Sequence, residues 1–361
     1  MNQSKIDLVM LLPGIVGGGA ERVSLNLAKY LLRSGFSVKI ICFGSEQNPL
    51  AADIDVEILF LKKNGFLQSL IKILFMLNKI RPRFVFSTFS YINITLILVK
   101  CFLFPKIICR EANLHHKNNV MGWKNNIIYR LLFLYNFADI FLCSSNYMKN
   151  HFIREHSIHH SNITVWRNPV DIENIQKLAG LPVVGEKMIS SCDAVRVGRR
   201  FVAIGRLEPQ KNFEQLIEWF VEGSEPDDAL LIVGSGTQRA SLKDRVDEIG
   251  IGCRIELCGH QENPCKILAQ CDALLIPSLW EGMPNVALEA IALGIPVLAM
   301  RTAGAIEELS RECPLVVVAQ DSSDFVSKLS SLDWRAMRST AQFPSKYYLA
   351  NSGEAFARLL S

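Results

Sequence analysis

Short, wholly apolar runs alternate along this chain with longer segments whose apolar positions recur three and four residues apart. The first pattern predicts strands of a parallel sheet covered on both faces, and the second predicts the helices that cover it. Up to the middle of the chain, strands are expected over 5–12, 56–61, 84–87, 106–110, 140–143 and 163–166, with helices over 20–33, 66–80, 92–104, 123–137 and 147–155. A further strand, VKIICFG, follows the first helix. The stretch 173–198 has weak periodicity and reads as a connector with one helical turn. The alternation then restarts, with strands expected over 201–204, 229–233, 254–257 and 273–276 and helices over 213–221, 238–249, 264–270 and 285–293. Two doubly wound, Rossmann-like α/β domains are therefore predicted, over 1–170 and 199–342, joined by a linker over 171–198. Ligands of such sheets bind outside the carboxyl ends of the strands, so the two domains are expected to face each other across a ligand cleft.

Composition narrows the partners. A chain of 361 residues is long enough for two domains, each with its own core. The most apolar stretch, 92–108, is interrupted by Asn93, Lys100, Pro105 and Lys106, and so is not a membrane span. The N-terminal apolar run carries Lys5 and Asp7 and ends in a glycine turn, unlike a signal peptide, so a cytoplasmic protein is expected. None of the ten cysteines forms a C-x-x-C pair, and most lie inside apolar runs; they are expected to be reduced hydrophobes, without a metal site. Charge is distributed unevenly. Residues 1–170 hold 20 Lys and Arg against 9 Asp and Glu, whereas residues 171–361 hold 19 against 26. Between 58 and 154, 14 basic residues meet only Glu111 and Asp139. No aromatic-basic or helix-turn-helix pattern accompanies this excess, which argues against nucleic acid and for an anionic membrane surface. A candidate membrane stripe is Phe66, Leu67, Leu70, Ile71, Leu74 and Leu77, with Lys62, Lys63, Lys72 and Lys79 beside it; the segment 122–137 has a similar mixture.

The chemistry is expected at two corners. The apolar run 273–277 stops at PSLWEGMPNVALEA, where Pro284 fits the first position of a helix. Glu281 in the loop and Glu289 more than a turn inside bracket a helix start whose free N–H groups suit a phosphate. Arg206 and Lys211 follow the strand FVAIG, where two fixed cations would meet a diphosphate. In the first half, the glycines at 17–19 end a strand and open a helix, which allows close approach of a ligand. They do not form G-x-G-x-x-G, and no acidic residue ends VKIICFG, so a nicotinamide site is disfavoured. The D-x-D at 53–55 opens a strand and is expected to be a polar strand edge; HSIHH at 156–160 is expected to be a solvated loop.

The E-x(7)-E spacing of Glu281 and Glu289 resembles the signature of retaining, two-domain nucleotide-sugar glycosyltransferases of the GT-B type, family 4. The resemblance extends in order through GGGAERV (17–23), WRNPVD (166–171), GRLEPQKN (205–212), LIVGSGTQR (231–239), CGH (258–260) and GIPVLAMRTAGAIEEL (294–309). It implies transfer of a hexose or N-acetylhexosamine from a UDP-sugar to a polyprenyl- or lipid-linked saccharide, as in O-antigen or capsule assembly, by front-side attack and without a metal. Residue by residue, it implies that Glu281 holds the donor sugar, Glu289 the ribose, and Arg206 and Lys211 the diphosphate. Gly205, the amides of Gly282 and Met283, and the helix start at Pro284 and Asn285 would complete the donor site, with Gly18 and Gly19 facing the ligand. Relatives place a histidine near the donor sugar, a position for which His115 and His116 compete. The last helix is expected to cross back to the first domain within 343–361. The rival readings are a sugar-nucleotide epimerase of similar fold and a non-catalytic partner subunit.

Overall fold

The structure, a computed structural model, describes residues 6–15, 18–43, 55–61, 66–115, 122–180, 198–338 and 342–361. The chain forms two compact units, residues 1–170 with 345–361, and residues 171–344. The first runs β1 (Leu8–Leu12), α1 (Gly19–Arg33), β2 (Val38–Cys42), β3 (Glu57–Phe60), α2 (Phe66–Ile80), β4 (Phe84–Ser87), α3 (Ser90–Leu98), β5 (Lys106–Glu111), α4 (Gly122–Leu131), β6 (Ile140–Cys143), α5 (Asn146–His156) and β7 (Ile163–Val165). Its sheet has the parallel order β3-β2-β1-β4-β5-β6-β7. All five residues of β1 are buried, as expected of a strand covered on both faces.

Two helices end sooner than their patterns predict. The helix expected over 92–104 stops at Leu98 and tightens into a 3-10 turn, Lys100–Phe102, because the residue before Pro105 is driven out of the helical region. The helix expected over 123–137 becomes 3-10 at Leu132–Phe137, where a three-residue repeat carries Leu132 and Tyr135 together into the core.

The second unit opens with α6 (Ile172–Ala179), where the sequence suggests a linker. Asp171 caps it by accepting from the Asn174 amide, Ile175 is buried, and Asn263 Nδ2 donates to the Leu178 carbonyl at 2.7 Å. The chain therefore leaves the first unit at Val170, and the remainder of the expected linker, 181–197, lies outside the described residues. Next come β8 (Arg200–Ile204), α7 (Phe213–Gly223), β9 (Ala229–Val233), α8 (Arg239–Ile249), β10 (Ile255–Gly259), α9 (Pro264–Ala269), β11 (Ala273–Ile276) and α10 (Asn285–Ala292). Beyond the last predicted helix of this half follow β12 (Val297–Met300), α11 (Ile306–Ser310), β13 (Val316–Ala319), α12 (Ser322–Ser331) and α13 (Trp334–Met337). The sheet order is β10-β9-β8-β11-β12-β13, all parallel.

The last helix, α14 (Leu349–Leu360), belongs to the first unit. Phe356 packs edge-on against Phe86 and Trp166, with ring centroids 5.4 and 5.1 Å away, and Trp166 Nε1 donates to the Ser352 carbonyl at 2.9 Å. Trp166→Phe removes that donor and shrinks a ring packed in the core, while the Ser352 carbonyl keeps its place in the ladder of α14, so the protein is expected to lose about 2 kcal/mol, mostly through packing. A thermal unfolding scan would register this; an unchanged midpoint would mean that neither the bond nor the packing contributes.

Candidate functional site

In each sheet the strand order reverses direction once, and this is where a doubly wound fold holds its ligand. In the second unit the reversal falls between β8 and β11, which pair in parallel with Phe201 opposite Ala273. The residues singled out in the sequence collect at the carboxyl ends of these two strands. Gly205 and Arg206 directly follow β8, with Arg206 exposed, and Lys211 ends a 3-10 turn, Pro209–Lys211. Gly205 bonds to the end of β9 through its amide, at 2.9 Å from the Val233 carbonyl. The absent side chain of Gly205 leaves room for the Lys211 stem: a Cβ there would stand 3.0 Å from Lys211 Cε.

From β11 the chain turns through Ser278 to Glu281, which is buried. Glu281 Oε1 accepts from the Lys211 ammonium and, at 3.0 Å, from the Ser278 hydroxyl. The two loops are also tied through their backbones. The Leu279 amide donates to the Gln210 carbonyl at 2.9 Å, and Gln210 Nε2 donates to the Trp280 carbonyl at 2.7 Å. Ammonium, carboxylate and hydroxyl are thus held together by the fold, as charge stabilisation requires.

Gly282, Met283 and Pro284 are buried in the loop that leads into α10. Pro284, expected as the first helical residue, is instead the N-cap of this helix, with φ −70° and ψ 105°, and Asn285 is the first residue. The extended ψ turns the chain away from the helix axis at Pro284, so its fixed φ serves the cap instead. Glu289 is buried on α10. Across the loop, Gly304 at φ +69° comes so close to its backbone that a Cβ would lie 2.3 Å from the Glu281 carbonyl oxygen; the Ala305 amide donates to the Gly282 carbonyl at 3.0 Å.

The first unit has its own reversal, between β1 and β4. Gly18 is the N-cap of α1 and Gly19 its first residue; both are exposed, and the buried Glu21 folds its carboxylate back over Gly18. A polar network that sequence reasoning overlooked starts where β5 ends. Arg110, fully buried, donates to Thr88 Oγ1 at 2.6 Å and to Asn168 Oδ1 at 2.7 Å, and stacks over Trp166 at 5.4 Å. Burial pushes its pKa down to about 10, opposed by Glu111, so it stays charged at neutral pH. Glu111 is buried as well, accepting from the Tyr135 hydroxyl, whose pKa is driven well up by burial and then by Glu111. The other Glu111 oxygen lies 3.3 Å from His115 Nε2, which is 2.8 Å from Ser90 Oγ. A carboxylate only accepts, so the contact with Glu111 calls for a proton on Nε2. His116, its competitor, lies outside the described residues.

Residues 17–174 match the family model described as Glycosyltransferase Family 4, and residues 198–332 match that described as Glycosyl transferases group 1. The chain belongs to glycosyltransferase family 4. It is similar to the UDP-Gal:alpha-D-GlcNAc-diphosphoundecaprenol alpha-1,3-galactosyltransferase of Escherichia coli, 28% identical over 325 residues, covering 83% of this chain and 80% of that one. A glycosyltransferase of Methanocaldococcus jannaschii is 29% identical over 241 residues; the match spans 63% of this chain and 58% of that relative, less than two thirds of its length. Among solved structures, that of Anabaena HepE with UDP and glucose superposes with a TM-score of 0.73 at 16% identity, over 98% of this chain and 99% of that one. The two parallel-sheet domains are those of a GT-B glycosyltransferase.

Two polar groups of this family 4 enzyme escaped the sequence reading although their signals were present. Ser278 stands three residues before Glu281, close enough to reach its carboxylate. Glu111 lies four residues before His115 and is a carboxylate at the end of an apolar strand, where burial makes a polar partner obligatory. Among the described residues no three His, Cys, Asp or Glu side chains converge as metal ligands. The Cys42, Cys143 and Cys271 thiols are pushed up to about 12 by burial and are inert at neutral pH.

Proposed function

We propose that this glycosyltransferase moves a hexose or N-acetylhexosamine from a UDP-sugar to a lipid-linked saccharide of a surface polysaccharide, with retention at the anomeric carbon and without a metal. The observation that carries the reading is the Lys211–Glu281 pair, with Arg206 on the same loop after β8, at the reversal of the second sheet. The donor's diphosphate meets the held Lys211 ammonium and the exposed Arg206 there. When the bond from the anomeric carbon to the leaving oxygen breaks, its electron pair goes to the diphosphate, and Arg206 and Lys211 take up that charge. The acceptor hydroxyl approaches on the same face, gives its proton to a departing phosphate oxygen and forms the new bond, so no nucleophile of the enzyme is consumed. Glu281 keeps Oε2 for a sugar hydroxyl, Glu289 holds the ribose, and the Gly282 and Met283 amides assist. Gly18 and Gly19 would face the ligand from the first unit, and His115 would offer Nδ1 to a sugar hydroxyl.

The donor and acceptor classes are supported by the printed names of relatives: a UDP-Gal-dependent transferase acting on a diphosphoundecaprenol-linked sugar and a structure holding UDP and glucose. The acceptor's lipid fits a basic first unit, which would keep the enzyme on the inner face of the cytoplasmic membrane. No helix among the described residues is long and apolar enough to cross a membrane.

The test is stereochemical. Purified enzyme given an α-linked UDP-sugar and a lipid-linked acceptor is expected to yield an α-linked product, read from the coupling constant of the new anomeric proton. A β-linked product would refute front-side transfer.

A further inference from the structure

Of the large apolar side chains exposed among the described residues, all but Leu279 belong to the first unit. Several of them are joined through α2 and the turn after α3. On α2 the expected membrane stripe divides: Leu77 lies in the core, Leu74 is half-buried and only Ile71 points outward, 60% exposed, while the side chains of Phe66, Leu67 and Leu70 lie outside the described residues; Phe75, which the stripe did not include, is 69% exposed. Lys72 and Lys79 are exposed with them, and Ile71, Phe75 and Lys79, each four residues apart, share one helix face. The neighbouring turn after α3 adds Phe102, 70% exposed, and Phe104, 65% exposed. It is joined to α2 by Asn78 Nδ2, which donates to the Phe102 carbonyl at 3.0 Å, and by Arg81, whose guanidinium sits 4.5 Å over the Phe104 ring. From the same turn Lys100 reaches the carbonyl of Phe137, another exposed ring. This is a ridge of outward rings with bases along it.

We infer that this ridge is where the enzyme enters an anionic lipid bilayer, with Phe75 and Phe102 passing below the headgroups while Lys72, Lys79 and Arg81 stay among the phosphates. Charge selects this occupant over a second protein. Between residues 58 and 154, 14 bases meet two acids; Asp139 is bonded to Lys100, Glu111 is buried beside Arg110, and Arg83 is paired with Asp7, which leaves a surplus of basic residues in this segment that an anionic surface would balance. A row of aromatic rings and long bases is the composition of an interfacial helix face: the rings bury at the acyl boundary while the basic stems keep their charge at headgroup level. Two signals together, apolar and electrostatic, give an attachment that neither gives alone.

The surface serves the lipid-linked acceptor proposed above, and the two readings fail separately. Flotation of the full chain with phosphatidylglycerol–phosphatidylcholine vesicles is expected to show binding, part of which survives high salt. The double variant Phe75→Ser/Phe102→Ser should bind roughly tenfold more weakly or worse and lose the salt-resistant part. Lys72→Gln/Lys79→Gln should instead lose the salt-sensitive part. In Phe102→Trp, emission should shift to the blue on vesicles and be quenched by brominated lipid. Undiminished flotation of the Ser variant, or indole emission from Phe102→Trp that ignores lipid, would overturn the inference. So would a dimer in sedimentation equilibrium that the Ser variant abolishes, since a second copy would then cover the ridge. UDP binding by calorimetry should be equal in all these proteins; its absence from the wild type would count against the donor site and leave the vesicle result standing.

Discussion

Replacing Arg206 or Lys211 by alanine is expected to lower kcat/KM by roughly 100-fold or more, about 1.4 kcal/mol for each factor of ten. The two variants should part company in stability. Arg206 is exposed, and its loss costs the site a charge without uncovering a partner. Lys211 holds a buried carboxylate. Its removal leaves Glu281 with the Ser278 hydroxyl in a pocket from which water is largely excluded, a change on the order of 2 kcal/mol. Arg206→Ala should therefore unfold with the wild type while Lys211→Ala unfolds several degrees earlier, and both should stay nearly inactive at a temperature where each is folded. EDTA should leave the wild-type rate unchanged. Near-normal turnover in both variants, or activity that returns only with a divalent ion, would move the diphosphate site elsewhere.

The second large effect is steric. Gly234, just past β9, has φ +147°, and a methyl group built on it would stand 1.8 Å from the Gly205 carbonyl oxygen. No side-chain motion relieves a clash with backbone; β8 and β9 would have to part at the ends that carry the site. Gly234→Ala is expected to destabilise the second unit by about 4 kcal/mol, combining left-handed strain with overpacking. Activity should fall with it, because the displaced peptide is the one before Arg206. A Gly234→Ala variant that is folded and fully active would show that the close approach is dispensable.

Much of this architecture is legible in the chain itself. Strands such as β9 and β11 appear at their predicted positions because four or five consecutive apolar residues between polar turns have few alternatives. After α10, β12 and β13 are apolar runs of the same kind as β11 and open to the same reading, whereas α12, SSDFVSKLSS, has few apolar positions to mark its period. The site divides in the same way. Its residue types are visible, because a glutamate pair at a helix start and two bases past a strand are local patterns. The Lys211–Glu281 pairing is not local, since 70 residues separate the partners and only the placement of β8 beside β11 joins them. Nothing in either segment announces which strands will be neighbours. Arg110 and Glu111 have the opposite difficulty: adjacent charges at a strand end look like solvent-facing residues until Thr88, Asn168 and Tyr135 close over them from distant parts of the chain.

The placement of α14 also sets an order of events during synthesis. Phe356 fills the space between Phe86 and Trp166, yet the ribosome reaches it only after all of residues 171–344 have been made. The second unit is continuous in the chain and can close while it emerges; the first must wait with part of its core uncovered. Nascent chains stalled before residue 345 would expose that apolar gap, so a segment translated after the whole second unit is the one that completes the first.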